Sequence, residues 1–172
     1  FNIVLDMQGG DSKKYADLKS QLLEIHKFSA AYYHETLTSK NGKNAFNYLT
    51  ERGLTKQIIE EFELGFSPDS FDDLLGLLRK KSFSAEAMKL SGLFIKSEKG
   101  YFNRFRSRIM FPIQNQKNEV IAFGGRIFNK DDPAKYQNSP ETPIYVKSNV
   151  LYGISHNVQH IREAKKIILV EG

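Results

Sequence analysis

The 172-residue chain contains no cysteine, which excludes disulfides, thiol catalysis and any cysteine zinc site within it and fits a reducing compartment. It has no apolar run near the roughly 20 residues that a membrane-spanning helix needs, so no membrane partner is expected. Phe1-Asn2-Ile3-Val4-Leu5-Asp6 lacks the charged start and long apolar stretch of a secretory signal. Without an initiating Met, these residues read as the end of a preceding segment and the chain as an excised piece. The composition present is that of a folded protein: 40% hydrophobic, 26% charged and 12% aromatic, which excludes disorder over the whole chain. The net charge of +5 is unevenly placed. Residues 1–100 carry 14 Lys and Arg against 14 Asp and Glu, whereas residues 101–172 carry 11 against 6. A basic half beside a neutral half points to an anionic partner such as nucleic acid or nucleotide; the alternative is a Lys excess that serves solubility.

The first hundred residues read as helical. Tyr15, Leu18, Leu22, Ile25, Phe28, Tyr32 and Leu37 recur three or four apart, which predicts a long amphipathic helix over 11–39 with Asp11 or Ser12 as its N-cap. Asn41-Gly42 breaks it. Short helices are expected over 43–52, from Thr55 through Phe62, and near 70–80 and 84–90, with a turn at Ser67-Pro68-Asp69 and stops at Gly53 and Gly92. The rhythm then changes. Leu93-Phe94-Ile95 starts a short strand, and Arg108–Ile113 and Val120–Phe123 read as a hairpin in which Pro112 prefers an edge or bulge. Residues 129–143 are expected as loop, Ser148 as the cap of a helix through Ile161, and Lys166–Val170 as a buried parallel strand.

Several features could carry chemistry. In Arg104-Phe105-Arg106-Ser107-Arg108, strand alternation would set three guanidiniums on one face, where they repel unless an anion sits between them; a charged edge strand is the competing reading. Phe123-Gly124-Gly125-Arg126 permits close backbone approach, or a β-bulge. Lys135-Tyr136-Gln137-Asn138 places a cation, a ring and an amide where they could hold phosphate, base and sugar. Glu171, after an apolar strand, is placed for Mg²⁺. His156 and His160, four apart on a helix, lack a third zinc ligand and read as a solvated face.

In order along the chain, these segments resemble bacterial DnaG-type DNA primases: Tyr48–Leu54, Gly65–Pro68, Arg104–Ile113, Val120–Arg126, Lys135–Thr142, Leu151–Gly153 and Ile168–Gly172. The resemblance implies an α+β fold, helical to about residue 92, then a small mixed or antiparallel β part, ending at the first strand of a truncated Toprim subdomain. It implies residues 1–10 as a linker from an absent zinc-binding domain, 11–164 as the amino-terminal subdomain of the polymerase core, and 165–172 as the start of Toprim. The implied activity is primer synthesis for DNA replication by a DNA-directed RNA polymerase of the primosome, a nucleotidyltransferase. This part alone is expected to be inactive. Arg52, Arg104, Arg106, Arg126, Lys135, Tyr136, Asn138 and Lys147 match the family's template- or nucleotide-binding residues, and Glu171 matches its catalytic, metal-binding Glu. Mg²⁺ is implied in the complete Toprim site and Zn²⁺ only in the absent domain. The implied partners are single-stranded DNA template, NTPs, RNA primer and, through an absent domain, the replicative helicase, in the cytoplasm. Gln137 and Ser148-Asn149 depart from the family's usual Leu and Gly-Arg. The competing readings are a single-stranded DNA-binding module without chemistry and a Toprim nuclease or topoisomerase relative.

Overall fold

A computed structural model describes residues 9–128 and 134–170. In chain order its elements are α1 (Gly9–Thr38), a 3₁₀ turn (Lys40–Gly42), α2 (Lys43–Glu51), α3 (Lys56–Glu61), β1 (Gly65–Ser67), α4 (Asp73–Arg79) and α5 (Ala85–Leu90). There follow β2 (Phe94–Ser97), β3 (Gly100–Asn103), β4 (Arg108–Gln114), β5 (Val120–Ile127), β6 (Tyr136–Asn138), a second 3₁₀ turn (Lys147–Asn149) and α6 (Ile154–Ala164). The expected α+β division holds: helices dominate the first ninety residues and antiparallel strands the next fifty.

The long amphipathic helix forms, but it begins at Gly9, so Asp11 and Ser12 lie inside its first turn rather than capping it. Of the residues assigned to a linker over 1–10, Gly9 and Gly10 already belong to α1, and the rest lie outside the described residues. The buried stripe of α1 is Leu22, Ile25, His26, Ser29, Ala30, Tyr33 and Leu37, while Phe28 and Tyr32 flank it and Tyr15 is exposed. Small residues enter this stripe because α1 crosses the sheet closely: a Cβ on Gly65 would stand 2.5 Å from that of Tyr33. Thr55 caps α3 by accepting from Ile58 N, and Ser84 caps α5 by accepting from Ala87 N.

The main sheet has the order β1-β4-β5-β6, antiparallel throughout, and β2-β3 is a separate hairpin. β1 is a strand where only a turn at 67–69 was expected. Three residues are too few to show alternation, and all three are buried. β6 likewise replaces part of the expected loop at 129–143; its polar Tyr-Gln-Asn sequence suits an edge strand that is largely wet. Pro112 is tolerated inside β4 because β1 pairs only with Arg108–Met110, leaving one side of Pro112 without a neighbouring strand; the bulge falls next to it, at Ile113/Gln114.

One core gathers Ile25, Tyr33, Leu74, Leu78, Leu93, Phe105, Met110 and Phe123 on one face of the sheet. A second, of Leu37, Leu49, Ile59, Leu64, Phe66 and Ile109, lies under α2 and α3 on the other. At the carboxy-terminal end two expectations give way. Ser148 sits in a 3₁₀ turn, and α6 starts only at Ile154, after Gly153 turns the chain at φ 75°. Lys166–Val170 joins no sheet, and Ile168 and Val170 are 77% and 86% exposed. Among the described residues no strand lies beside it, so its ladder has no partner.

Candidate nucleic-acid interface

The stretch Arg104–Ser107 is not the strand that alternation predicts; it is the connection between β3 and β4. Its backbone is nonetheless held at Arg104, Phe105 and Ser107. Arg104 N donates to Leu93 O at 2.8 Å and Ser107 N to Pro68 O at 3.3 Å. Ser67 Oγ donates to Phe105 O at 2.7 Å. The Phe105 ring is fully buried and meets Phe123 edge-on at 6.4 Å. Ser107 takes φ 49°, a left-handed conformation that costs a non-glycine residue about 1–2 kcal/mol. Phe105 thus acts as the anchor, and Arg104, Arg106 and Arg108 turn away from it into a shared cleft of about 490 Å³.

Each guanidinium in the cleft is held differently. Arg104 Nε donates to Gly92 O at 2.8 Å, and burial pulls its pKa down. Arg108 is 3% exposed and donates to Ala134 O at 2.9 Å. The Arg106 guanidinium stacks 3.7 Å above the ring of Phe71, and its buried NH1 has no hydrogen-bond partner among the described residues. The turn bearing Phe71 is in turn pinned by Asn103, whose backbone N donates to Phe71 O at 2.7 Å and whose Nδ2 donates to Ser70 O at 3.1 Å. Asp69 and Gln137 also line the cleft. Gly125 is required here: a Cβ would stand 2.9 Å from the Phe105 ring and 3.0 Å from the Arg108 side chain. Close approach, rather than a bulge, explains the glycine pair.

Arg126 projects to the opposite face. It is the register partner of Tyr136, while Gly125 pairs with Gln137, and neighbouring strand positions point to opposite sides. Arg126 NH1 donates to Tyr136 Oη at 2.9 Å. Its guanidinium lies 5.3 Å from the Tyr136 ring and 6.0 Å from that of Tyr48. Arg52 approaches Tyr48 at 5.0 Å, and Lys135 approaches Tyr136 at 5.7 Å. Cations and rings therefore alternate: Arg52, Tyr48, Arg126, Tyr136, Lys135. Asn138 shares this face, two residues beyond Tyr136.

The only ion pair among the described residues is Lys56–Glu60. Among the described residues, Arg52, Arg104, Arg106, Arg126 and Lys135 have no carboxylate within ion-pair distance. Of the residues singled out in the sequence, two groups come together on the two faces of one sheet margin, rather than on a single face. Lys147, exposed in its 3₁₀ turn, lines neither group. Glu171 lies outside the described residues. Sequence reasoning missed Phe71 and Tyr48 as partners of the arginines; Phe71, 60% exposed beside Ser67-Pro68-Asp69, was the one available signal.

The fold is thus an α+β domain whose sheet margin carries cations on both faces, interleaved with accessible rings. The chain belongs to the family described as the DNA primase catalytic core, N-terminal domain, whose model matches residues 32–158. The DNA primase of Geobacillus stearothermophilus is 41% identical over 170 residues, covering 98% of this chain and 28% of that protein. That of Staphylococcus epidermidis is 38% identical over 177 residues, covering 99% and 29%. Among solved structures, the RNA polymerase domain of Mycobacterium tuberculosis primase DnaG, in complex with a double-stranded DNA oligomer carrying a 6-nucleotide overhang, superposes with a TM-score of 0.84 at 36% identity, covering 89% of this chain and 48% of that one. A DnaG primase catalytic domain bound to single-stranded DNA gives 0.84 at 32% identity, covering 91% and 49%. The chain thus spans less than a third of these curated relatives.

Proposed function

We propose that this chain is the amino-terminal part of the catalytic core of a bacterial DNA primase, the enzyme that synthesises short RNA primers on a single-stranded DNA template in the cytoplasm. In this reading the cleft arginines Arg104 and Arg106 and the ladder of Arg52, Arg126 and Lys135 hold phosphates of the template or of the incoming NTP. Tyr136 offers a stacking surface for a base, Phe71 another, and Asn138 a hydrogen-bonding edge. Lys147 adds a cation further along the track. The observation that carries the proposal is Arg106, whose guanidinium stacks on the Phe71 ring and whose buried NH1 has no hydrogen-bond partner among the described residues. A guanidinium fork in that state is satisfied by phosphate oxygens.

The reaction is attack of a ribonucleotide 3′-hydroxyl on the α-phosphate of an incoming NTP, which forms a phosphodiester bond and releases pyrophosphate. This chain's own contribution is static: it neutralises phosphates and fixes their register, and such contacts carry no sequence information. No group of three or more His, Asp or Glu among the described residues is placed to hold a metal ion, so these residues do not by themselves supply an ion site. Mg²⁺ would need Glu171 together with carboxylates from the rest of a Toprim fold, and Zn²⁺ belongs to a separate zinc-binding domain. The helicase contact likewise belongs to another domain. No helix of the described residues is long and apolar enough to cross a membrane.

Fluorescence anisotropy with a labelled 16-nucleotide single strand tests the proposal. Saturable binding that weakens linearly in log K against log salt is expected. Absence of binding at 50 mM salt would remove the proposal's basis. Template-directed dinucleotide synthesis by this chain alone would overturn its inactivity.

A further inference from the structure

α1 carries a second surface that the cation sets do not use. Its stripe from Ser20 through Leu23, Lys27, Ala31 and Glu35 to Thr38 forms one wall of a groove of about 920 Å³. At 1.5 Å per residue this wall runs for about 27 Å, close to five helical turns. The groove shares no lining residue with the arginine cleft. Leu23, Ala31 and Val120 give it an apolar floor, and the alanine lets a visiting backbone come close. Glu24 and Glu35 stand on the α1 side, and Glu63 and Glu119 on the opposite bank. None of the four forms an ion pair among the described residues. Glu63 and Glu119 accept only neutral amide donors, from Gln114 at 3.3 Å and Asn115 at 2.7 Å. Lys27 and His34 are the other titratable groups of the lining. In a chain of net charge +5, four carboxylates along one apolar-floored groove repel the polyanion that the opposite cations attract.

We propose that this groove docks a basic amphipathic helix of a partner protein, about five turns long, with small apolar residues against Leu23, Ala31 and Val120 and Lys or Arg side chains toward the four glutamates. Helix-in-groove recognition fits the length of the groove, and the charge selects the partner.

The cysteine-free chain allows a direct test. An environment-sensitive fluorophore is placed through Ser20→Cys at the groove's end, or through Ser97→Cys on the β2-β3 hairpin as a control. The probe is a 20-residue amidated helical peptide of Leu, Ala and Lys, with a counterpart carrying Glu for every Lys. The Lys peptide should change the label at position 20 saturably and leave the label at 97 unmoved; the Glu peptide should do neither. Glu35→Lys with Glu119→Lys should raise the half-saturating concentration at least tenfold, while the same variant binds single-stranded DNA at least as tightly as the parent. Ala31→Arg, which fills the floor and spares the carboxylates, should give a similar loss. Equal response at both labels, equal response to both peptides, or indifference to charge reversal would overturn the proposal. So would a concentration-dependent dimer abolished by the same charge reversal, which would assign the groove to a second copy. The retained DNA affinity keeps this test separate from that of the proposed function.

Discussion

The cleft and the ladder use the same kind of charge in opposite ways. Arg104, Arg106 and Arg108 extend from a backbone hydrogen-bonded at Arg104, Phe105 and Ser107 and anchored by a fully buried ring. Arg52 and Lys135 are exposed, and their fixed contacts in the ladder are ring faces at 5.0 and 5.7 Å. The cleft has already lost its side-chain freedom on folding, so an anion entering it gains two or three charge-assisted hydrogen bonds at little further entropic cost. The ladder keeps its freedom and offers rings, which suits a moving strand whose bases stack without regard to sequence. Rigidity, more than charge count, separates the two.

The contrast can be broken most sharply at Phe105. Phe105→Ala should cost about 3–5 kcal/mol of stability, read as a large drop in Tm by circular dichroism, and should abolish tight DNA binding by releasing the arginines. Acid acts on the same side of the sheet. Burial pulls the His26 imidazole down to about 4, and its ring stacks on Phe123 at 5.8 Å, beneath Phe105. The unfolded chain takes up that proton near pH 6.5 and the folded one only near 4, so stability should fall as pH drops between them, by roughly 3 kcal/mol in all. Urea unfolding across that range checks it, and His26→Phe should flatten the dependence. Next in size, Arg106→Ala should weaken single-stranded DNA binding about tenfold or more at 0.1 M salt, against about threefold for Arg126→Ala. Arg106→Lys should fail to restore binding because an ammonium lacks the planar fork stacked on Phe71, whereas Arg126→Lys should keep most of it. Gln137→Leu, which places the family's usual residue in the cleft, should change affinity by less than about twofold; titration of the same oligonucleotide measures it.

Much of this was legible in the sequence. The α2–α5 helices and the Thr55 cap follow from periodicity and capping chemistry, and the β4-β5 hairpin from two β-branched runs; the Ser84 cap was not read. β1 and β6 were not legible, because three residues show no period and what makes them strands is the neighbour that pairs with them. The grouping of Arg104, Arg106 and Arg108 was read correctly from a mistaken premise. Alternation in a strand was expected, but a pinned connection with a left-handed Ser107 delivers the same convergence. That Arg126 would face away from them follows only from register with Tyr136, which no local pattern encodes. Lys166–Val170 shows the reverse: its apolar run predicts a buried strand, yet among the described residues it joins no sheet and stays exposed.

The central claim is that the cleft guanidiniums engage phosphates directly, and the salt dependence of single-stranded DNA binding tests it most directly. Removing two phosphate contacts by the paired change Arg104→Ala and Arg106→Ala should lower the slope of log K against log salt by about 1.4 relative to the parent chain. A paired variant that binds more weakly with an unchanged slope, or binds equally well, would contradict the account.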